Sequence, residues 1–353
     1  MPKIDAYLKK VVELDGSDLH LTSTVPAKVR VHGRLAAISD KPMAPDALSE
    51  ILFEFLDESR ASIYRERNDV DLAYELPGSA RFRVSLSQTL NGPAAVFRVI
   101  PTDITSLKDL GVPPQIQKFT ALRHGLVLVT GPTGSGKSTT LAALLDHINR
   151  TQQKHIITIE EPIEFVHVDR RSYFTQREVG VDAEDFSTAL RTATRQDPDV
   201  LLVGELRDPE TIGLAITAAE MGILVFATLH TNSAAKTVDR MIDVFPESQQ
   251  NQVRTMLAES LRGVCAQVLL PTRGGKGRVP ANEVLFGSFA LSSIIREGNV
   301  AKIVGLIESG RGEGMQLMDD SLMERLKAKE IAPDTAHLFA NQKQLFERFL
   351  SKS

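Results

Sequence analysis

Residues 125–140 read GLVLVTGPTGSGKSTT: an apolar run from Gly125 to Thr130, then Gly131, Pro132, Thr133, Gly134, Ser135, Gly136, Lys137, Ser138, Thr139 and Thr140. The run is strand-like. Behind the glycines, Leu141, Leu144, Leu145 and Ile148 share one helical face. Strand, glycine loop and helix in this order match G-x-x-x-x-G-K-[ST] at every position, a spacing whose chemistry is phosphate binding. Gly131, Gly134 and Gly136 let the backbone curl around a β-phosphate. Thr133, Ser135 and Thr139 lie among the backbone N–H groups that the loop and helix N-terminus bring to one point. The Lys137 ammonium offsets charge on the β- and γ-phosphates, and the Ser138 hydroxyl is placed to ligate Mg2+.

The chain around the loop has the same rhythm. HIITIE (155–160), DVLLVGE (199–205), ILVFATLH (223–230), CAQVLLP (265–271) and ANEVLF (281–286) are short, nearly continuous apolar runs separated by helical segments. Such runs are typical of strands covered on both faces, which predicts an α/β fold with a mostly parallel sheet. In such sheets the chemistry gathers at the carboxyl ends of strands. Glu205 ends one run and is the best candidate for polarising water or holding the metal's water shell, so the metal set expected is Ser138 with Glu205. Glu160, Glu161 and, after Pro162, Glu164 form a second cluster of carboxylates. His230 ends a third run, where an imidazole is placed to sense a γ-phosphate or bond a neighbouring carboxylate.

Upstream, DLHLT (18–22) and AKVRVHG (27–33) alternate at period two, Leu48, Ile51, Leu52, Phe55 and Leu56 mark a helix between Pro45 and Arg67, and VDLAYEL, ARFRVSLSQT and AAVFRVI are further strands. This predicts a small α+β domain over 1–100, a proline-rich linker over 101–115, and the α/β domain over 116–353 with a helical C-terminal portion beyond Phe289. The basic stretch TRGGKGR (272–278) lacks the phosphate-loop spacing and reads as a hairpin loop. LFANQKQLFERFL near the end carries an apolar stripe that suits packing on its own domain or a neighbour.

In the 353 residues, a hydrophobic fraction of 42% with 24% charged residues excludes a disordered or fibrous chain. No apolar run approaches the ~18 residues of a membrane span, and a cytoplasmic location is expected. The single cysteine, Cys265, excludes a disulfide framework and reads as a core residue. A net charge of −4, 5% aromatics and no tryptophan argue against nucleic acid as a partner.

Taken together, GSDLHLT, RFRVS, VFRVIP, GPTGSGKSTT, HIITIEEPIEF, TRQDPDVLLVGELRDPET, ATLHTNSA and GMQLMDDSL resemble the secretion-superfamily ATPases of type II and type IV pilus machines, and within them the retraction ATPases. The resemblance spans nearly the whole chain. It implies a PAS-like N-terminal domain, a RecA-like P-loop ATPase domain, ATP and Mg2+ as cofactors, and a homo-hexameric ring. The ring would act in the cytoplasm on an inner-membrane pilus platform protein, peripheral to that membrane, with a paralogous retraction ATPase as a further partner. It also implies that Arg83 and Arg98 reach nucleotide phosphates, with Arg81 close behind. Three departures stand out. Glu161 replaces the aspartate of IEDPIE, Ala219 to Ile223 read AEMGI in place of AETGH, and ALSSIIRE stands for AIRNLIRE. These motivate one alternative, an accessory ring subunit of low turnover; another is a pilus-extension or secretion ATPase.

Overall fold

The computed structural model describes residues 2–31, 34–100, 103–275 and 277–350. The chain falls into two compact units, Met1–Asp103 with Glu164–Val166, and Ile104–Ile163 with His167–Ser353.

In the first unit, helix α1 (Ile4–Glu13) is followed by strands β1 (Gly16–Thr22), β2 (Lys28–Val31) and β3 (Arg34–Ala37), helices α2 (Pro45–Phe53) and α3 (Glu58–Arg67), and strands β4 (Asp69–Leu76), β5 (Ala80–Thr89) and β6 (Gly92–Ile100). Among the described residues these strands form an antiparallel sheet in the order β3-β2-β1-β6-β5-β4. Period-two alternation puts Leu19, Leu21, Phe82, Val84, Leu86 and Phe97 into a core shared with Ile4 and Leu8 of α1 and Leu48 and Leu52 of α2. The strand expected over 27–33 is β2; its last two positions lie outside the described residues, as do Pro101 and Thr102. The single helix expected between Pro45 and Arg67 is two helices. Asp57 accepts a hydrogen bond from the Arg60 backbone N–H and starts α3 afresh. In the break before it, Phe55 turns edge-on to Tyr74 and Phe97, with ring centroids 5.1 and 5.8 Å away.

The second unit runs β7 (Gly125–Thr130), α4 (Lys137–Thr151), β8 (His155–Glu160), β9 (Tyr173–Glu178), α5 (Phe186–Ala193), β10 (Val200–Val203), α6 (Pro209–Glu220), β11 (Leu224–Leu229), α7 (Ala234–Asp243), α8 (Glu247–Ser260), β12 (Leu261–Pro271) and β13 (Arg278–Phe286). Helices α9 (Phe289–Glu297), α10 (Lys302–Ser309), α11 (Met318–Lys327), α12 (Pro333–Phe339) and α13 (Gln344–Glu347) complete it. The strand order is β13-β12-β7-β11-β10-β8-β9, parallel from β12 to β9, with β13 antiparallel to β12.

The phosphate-loop strand β7 therefore lies inside the sheet, and its residues divide between two cores. Val127 and Val129 meet Leu141, Leu144 and Ile148 of α4 on one side. Leu126 and Leu128 belong to the core built by Ile212, Ile216, Val238 and Ile242 on the other. Burial on both faces is why β7, β8, β10 and β11 read as unbroken apolar runs. Cys265 is fully buried, and burial pushes its thiol up to about 12, so it packs and does not react. The stretch TRGGKGR joins β12 to β13, although Lys276 lies outside the described residues. In the C-terminal segment, Phe346 is buried with Leu270, Leu322 and Ile331 of the same unit. Among the described residues no helix is long and apolar enough to cross a membrane.

Candidate functional site

Three positive-φ glycines shape the loop after β7. Gly131 has φ 149°, and a Cβ there would sit 2.2 Å from the Gln267 carbonyl oxygen and 2.5 Å from Ser135 Oγ, so only glycine permits the chain to pass. Gly134 and Gly136 have φ 78° and 84°. Gly136 precedes α4, and no side chain caps that helix, so its first-turn N–H groups are available to an anion. Lys137 is buried at the root of the loop, its Nζ donating to the carbonyls of Gly131 (2.9 Å) and Pro132 (3.2 Å). Thr133 and Gly134 are exposed, Ser138 and Thr139 half-buried, and Ser135 buried. Glycine cradle, uncapped helix and lysine lie on one continuous segment, an arrangement with the donors and charge that a diphosphate requires.

Beside it, the ends of β8, β10 and β11 carry a charged cluster. Glu205 follows β10 and accepts from two directions: Arg207 Nη2 at 2.9 Å on Oε2, and His230 Nε2 at 3.1 Å from Oε1. Arg207 Nη1 also reaches Glu161 Oε2 at 3.3 Å. Burial pushes the Glu205 carboxyl up, but the Arg207 hydrogen bond and the His230 and Arg207 charges outweigh it and hold the group below the usual carboxylate range. The strand ends are themselves pinned, because Thr228 Oγ1 donates to the Gly204 carbonyl at 2.5 Å and Leu206 N to the Thr228 carbonyl at 3.0 Å. Glu160 closes β8 and is buried, whereas Glu164 is exposed. A cavity of about 620 Å3 opens beside Pro132 and His230, with Thr231, Asn232, Lys236 and Phe339 on its walls.

The structure thus joins Glu205 to Glu161 through Arg207 and sets His230 directly against Glu205, and Arg207 is a residue that sequence reasoning missed. It also missed Glu283, whose buried carboxylate accepts from Ala234 N (2.7 Å) and Met318 N (3.3 Å), holding the first residues of α7 and α11. Arg83 and Arg98 belong to the first unit. They face each other across β5 and β6, Arg83 with Asp71 at 3.8 Å and Arg98 with the buried Asp18 at 2.7 Å. Arg81 lies on β5 two residues before Arg83.

Among the described residues no three His, Cys, Asp or Glu side chains gather to hold a metal on their own. Mg2+ is compatible with this, since it keeps waters and takes nucleotide phosphate oxygens as ligands, asking the protein for little more than a hydroxyl such as Ser138. Both Glu205 oxygens are engaged, so its contact with such an ion fits best through water.

This strand-loop-helix with a carboxylate on the next-but-one strand defines the class of P-loop nucleotide-binding proteins. The comparisons place it more narrowly. Residues 1–300 match the family described as type II/IV secretion system protein. The chain is 49% identical over 308 residues to a twitching motility protein of Neisseria gonorrhoeae, covering 87% of this chain and 82% of that one. It is 47% identical over 303 residues to the type IV pilus retraction ATPase PilT of Pseudomonas aeruginosa, covering 86% and 88%. A solved structure of the pilus retraction motor PilT with bound ADP superposes with a TM-score of 0.90 at 40% identity, covering 98% and 99%. The chain belongs to the type II/IV secretion system protein family.

Proposed function

We propose that this protein is an ATP-hydrolysing motor that drives type IV pilus retraction. The observation that carries the reading is the uncapped, glycine-hinged loop at the head of α4, set beside an ionised Glu205 in a chain 47% identical to a PilT. ATP binds by its β- and γ-phosphates to the loop N–H groups and Lys137, with Mg2+ carried by Ser138 and, through water, Glu205. Glu205 polarises the attacking water. His230, bonded to Glu205, reports loss of the γ-phosphate to α7. Arg83 and Arg98 bring positive charge to the phosphates from a PAS-like domain over 1–100, joined through 101–115 to the ATPase domain over 116–353. Glu160 and Glu164 are reserve candidates for the catalytic carboxylate.

The working form is a homo-hexameric ring in the cytoplasm, engaging an inner-membrane pilus platform protein and in some settings a paralogous retraction ATPase. Glu161, one carbon longer than the family's aspartate, still reaches Arg207 at 3.3 Å, which supports retention of turnover over the accessory-subunit reading. Steady-state phosphate release by the purified protein tests this. Hydrolysis lost in Lys137→Ala is expected; a wild type that binds ATP without turning it over would make the protein an accessory ring subunit.

A further inference from the structure

Gln267 lies in the apolar run of β12, next to β7, and is 2% exposed. Such a side chain must satisfy both ends of its amide inside the protein. Its Nε2 donates to the Ser135 carbonyl at 2.6 Å, and its Oε1 accepts from Thr140 Oγ1 and from Asn282 Nδ2, each at 2.9 Å. One fixed group orients the set. A carbonyl only accepts, so Ser135 requires the NH2 end of Gln267, which leaves the oxygen to take the Thr140 hydroxyl and the NH2 of Asn282. Asn282, directly across the strand pair, is held in turn by Ser321 Oγ (3.1 Å from its N) and Gln316 Nε2 (2.8 Å from its carbonyl).

The contacts at Ser135 and Thr140 bracket the uncapped N–H groups at the head of α4. In a trans peptide the C=O and the following N–H point in opposite directions. Fixing the Ser135 carbonyl toward β12 therefore fixes the Gly136 N–H away from it. This peptide turns about ψ of Ser135 and φ of Gly136, and Gly136 sits at φ 84°, where a residue without a side chain is freest to change conformation, so the hydrogen bond from Gln267 is what selects one orientation. A rotation would replace a donor by a carbonyl oxygen facing the phosphates. We infer that Gln267 is a positioning residue for nucleotide: it locks the Ser135–Gly136 peptide with its N–H turned toward the β-phosphate and, through Thr140, keeps the first turn of α4 in register with the loop. The inference rests on the nucleotide-binding reading above.

The test is ADP affinity by calorimetry in the presence of Mg2+, with the melting temperature of the nucleotide-free protein, for wild type, Gln267→Met, Gln267→Glu and Thr140→Val. Gln267→Met is expected to bind ADP at least ~10-fold more weakly while remaining folded, because orientation of loop donors, not bulk packing, has been lost. Gln267→Glu supplies a readout that a purely structural role would not move. Its buried carboxyl titrates above the usual range; as the carboxylate it faces the Ser135 carbonyl without a proton, and as the acid it donates again. Its ADP affinity relative to wild type should recover at least ~3-fold between pH 8.5 and pH 6. If Gln267→Met does not fold, Thr140→Val, which removes only the lower donor, should still weaken ADP binding. Wild-type affinity in Gln267→Met, or in Thr140→Val where that replaces it, overturns the proposal, as does a Gln267→Glu defect that ignores pH. Failure of the wild type to bind ADP would instead refute the nucleotide reading.

Discussion

Replacing Glu205 by glutamine separates chemistry from architecture. The carboxylate accepts from Arg207 at 2.9 Å and meets His230 at 3.1 Å. A glutamine oxygen still accepts from Arg207, and its NH2 can donate to His230 Nε2 once the ring takes the other tautomer. The geometry survives and the charge is lost. For stability the change is small: Arg207 is 60% exposed and His230 45%, so the screened pairs contribute about 0.2–1 kcal/mol each. For turnover it is large. Loss of a positioned general base or of the charge ordering the metal's waters costs roughly 10²–10⁴-fold, or about 2.7–5.5 kcal/mol in the barrier. Phosphate release and ATP affinity measured on the same preparation distinguish the two. Expected are a rate lowered at least ~10²-fold and an ATP affinity within about 3-fold of wild type. Unchanged turnover would refute the assignment and pass the role to Glu160 or Glu164.

Three further outcomes follow from neighbouring groups. In Arg207→Ala, burial still raises the Glu205 carboxyl while its main opposing partner is gone, so the acid limb of the pH–rate profile should move to higher pH; an unmoved limb would mean that Glu205 does not set it. Burial raises the Glu283 carboxyl, so its contribution to stability is full below the ordinary carboxylate value and falls as pH climbs through the raised one. Glu283→Gln also loses one of two accepted N–H bonds, about 1–3 kcal/mol, and melting should show a larger loss at pH 5 than at pH 8. Arg83→Ala should lower turnover ~10-fold or more with little change in melting temperature, whereas Arg98→Ala also strips the buried Asp18 of its 2.7 Å partner and should melt earlier; full turnover in both would remove these arginines from the site.

What the sequence disclosed tracks burial. Strands β7, β8, β10 and β11, covered on both faces, declare themselves as apolar runs, and the glycine loop is local, so its spacing carries its geometry. Strand β9, YFTQRE, escaped because it is the sheet's edge and only Glu178 in it is buried. The helix break escaped because the apolar stripe runs on to Phe55 and Leu56, and the contacts of Phe55 with Tyr74 and Phe97 lie far off in sequence, although the Asp57 cap that restarts α3 is a local signal. Arg207 looked like any solvated charge, and its role appears only when the ends of β8, β10 and β11 meet. Gln267 left a local trace, a lone amide inside VCAQVLL, but the carbonyl it serves is 132 residues away.

Whether hydrolysis at Glu205 powers pilus retraction is decided in the cell. With the chromosomal gene carrying the Glu205→Gln allele, pilus length and surface motility are scored against the wild type and a deletion. Long, abundant pili with motility lost in both mutants is the predicted result. Bald cells would make the protein an extension motor, and wild-type pili with normal motility in the Glu205→Gln strain would contradict the account.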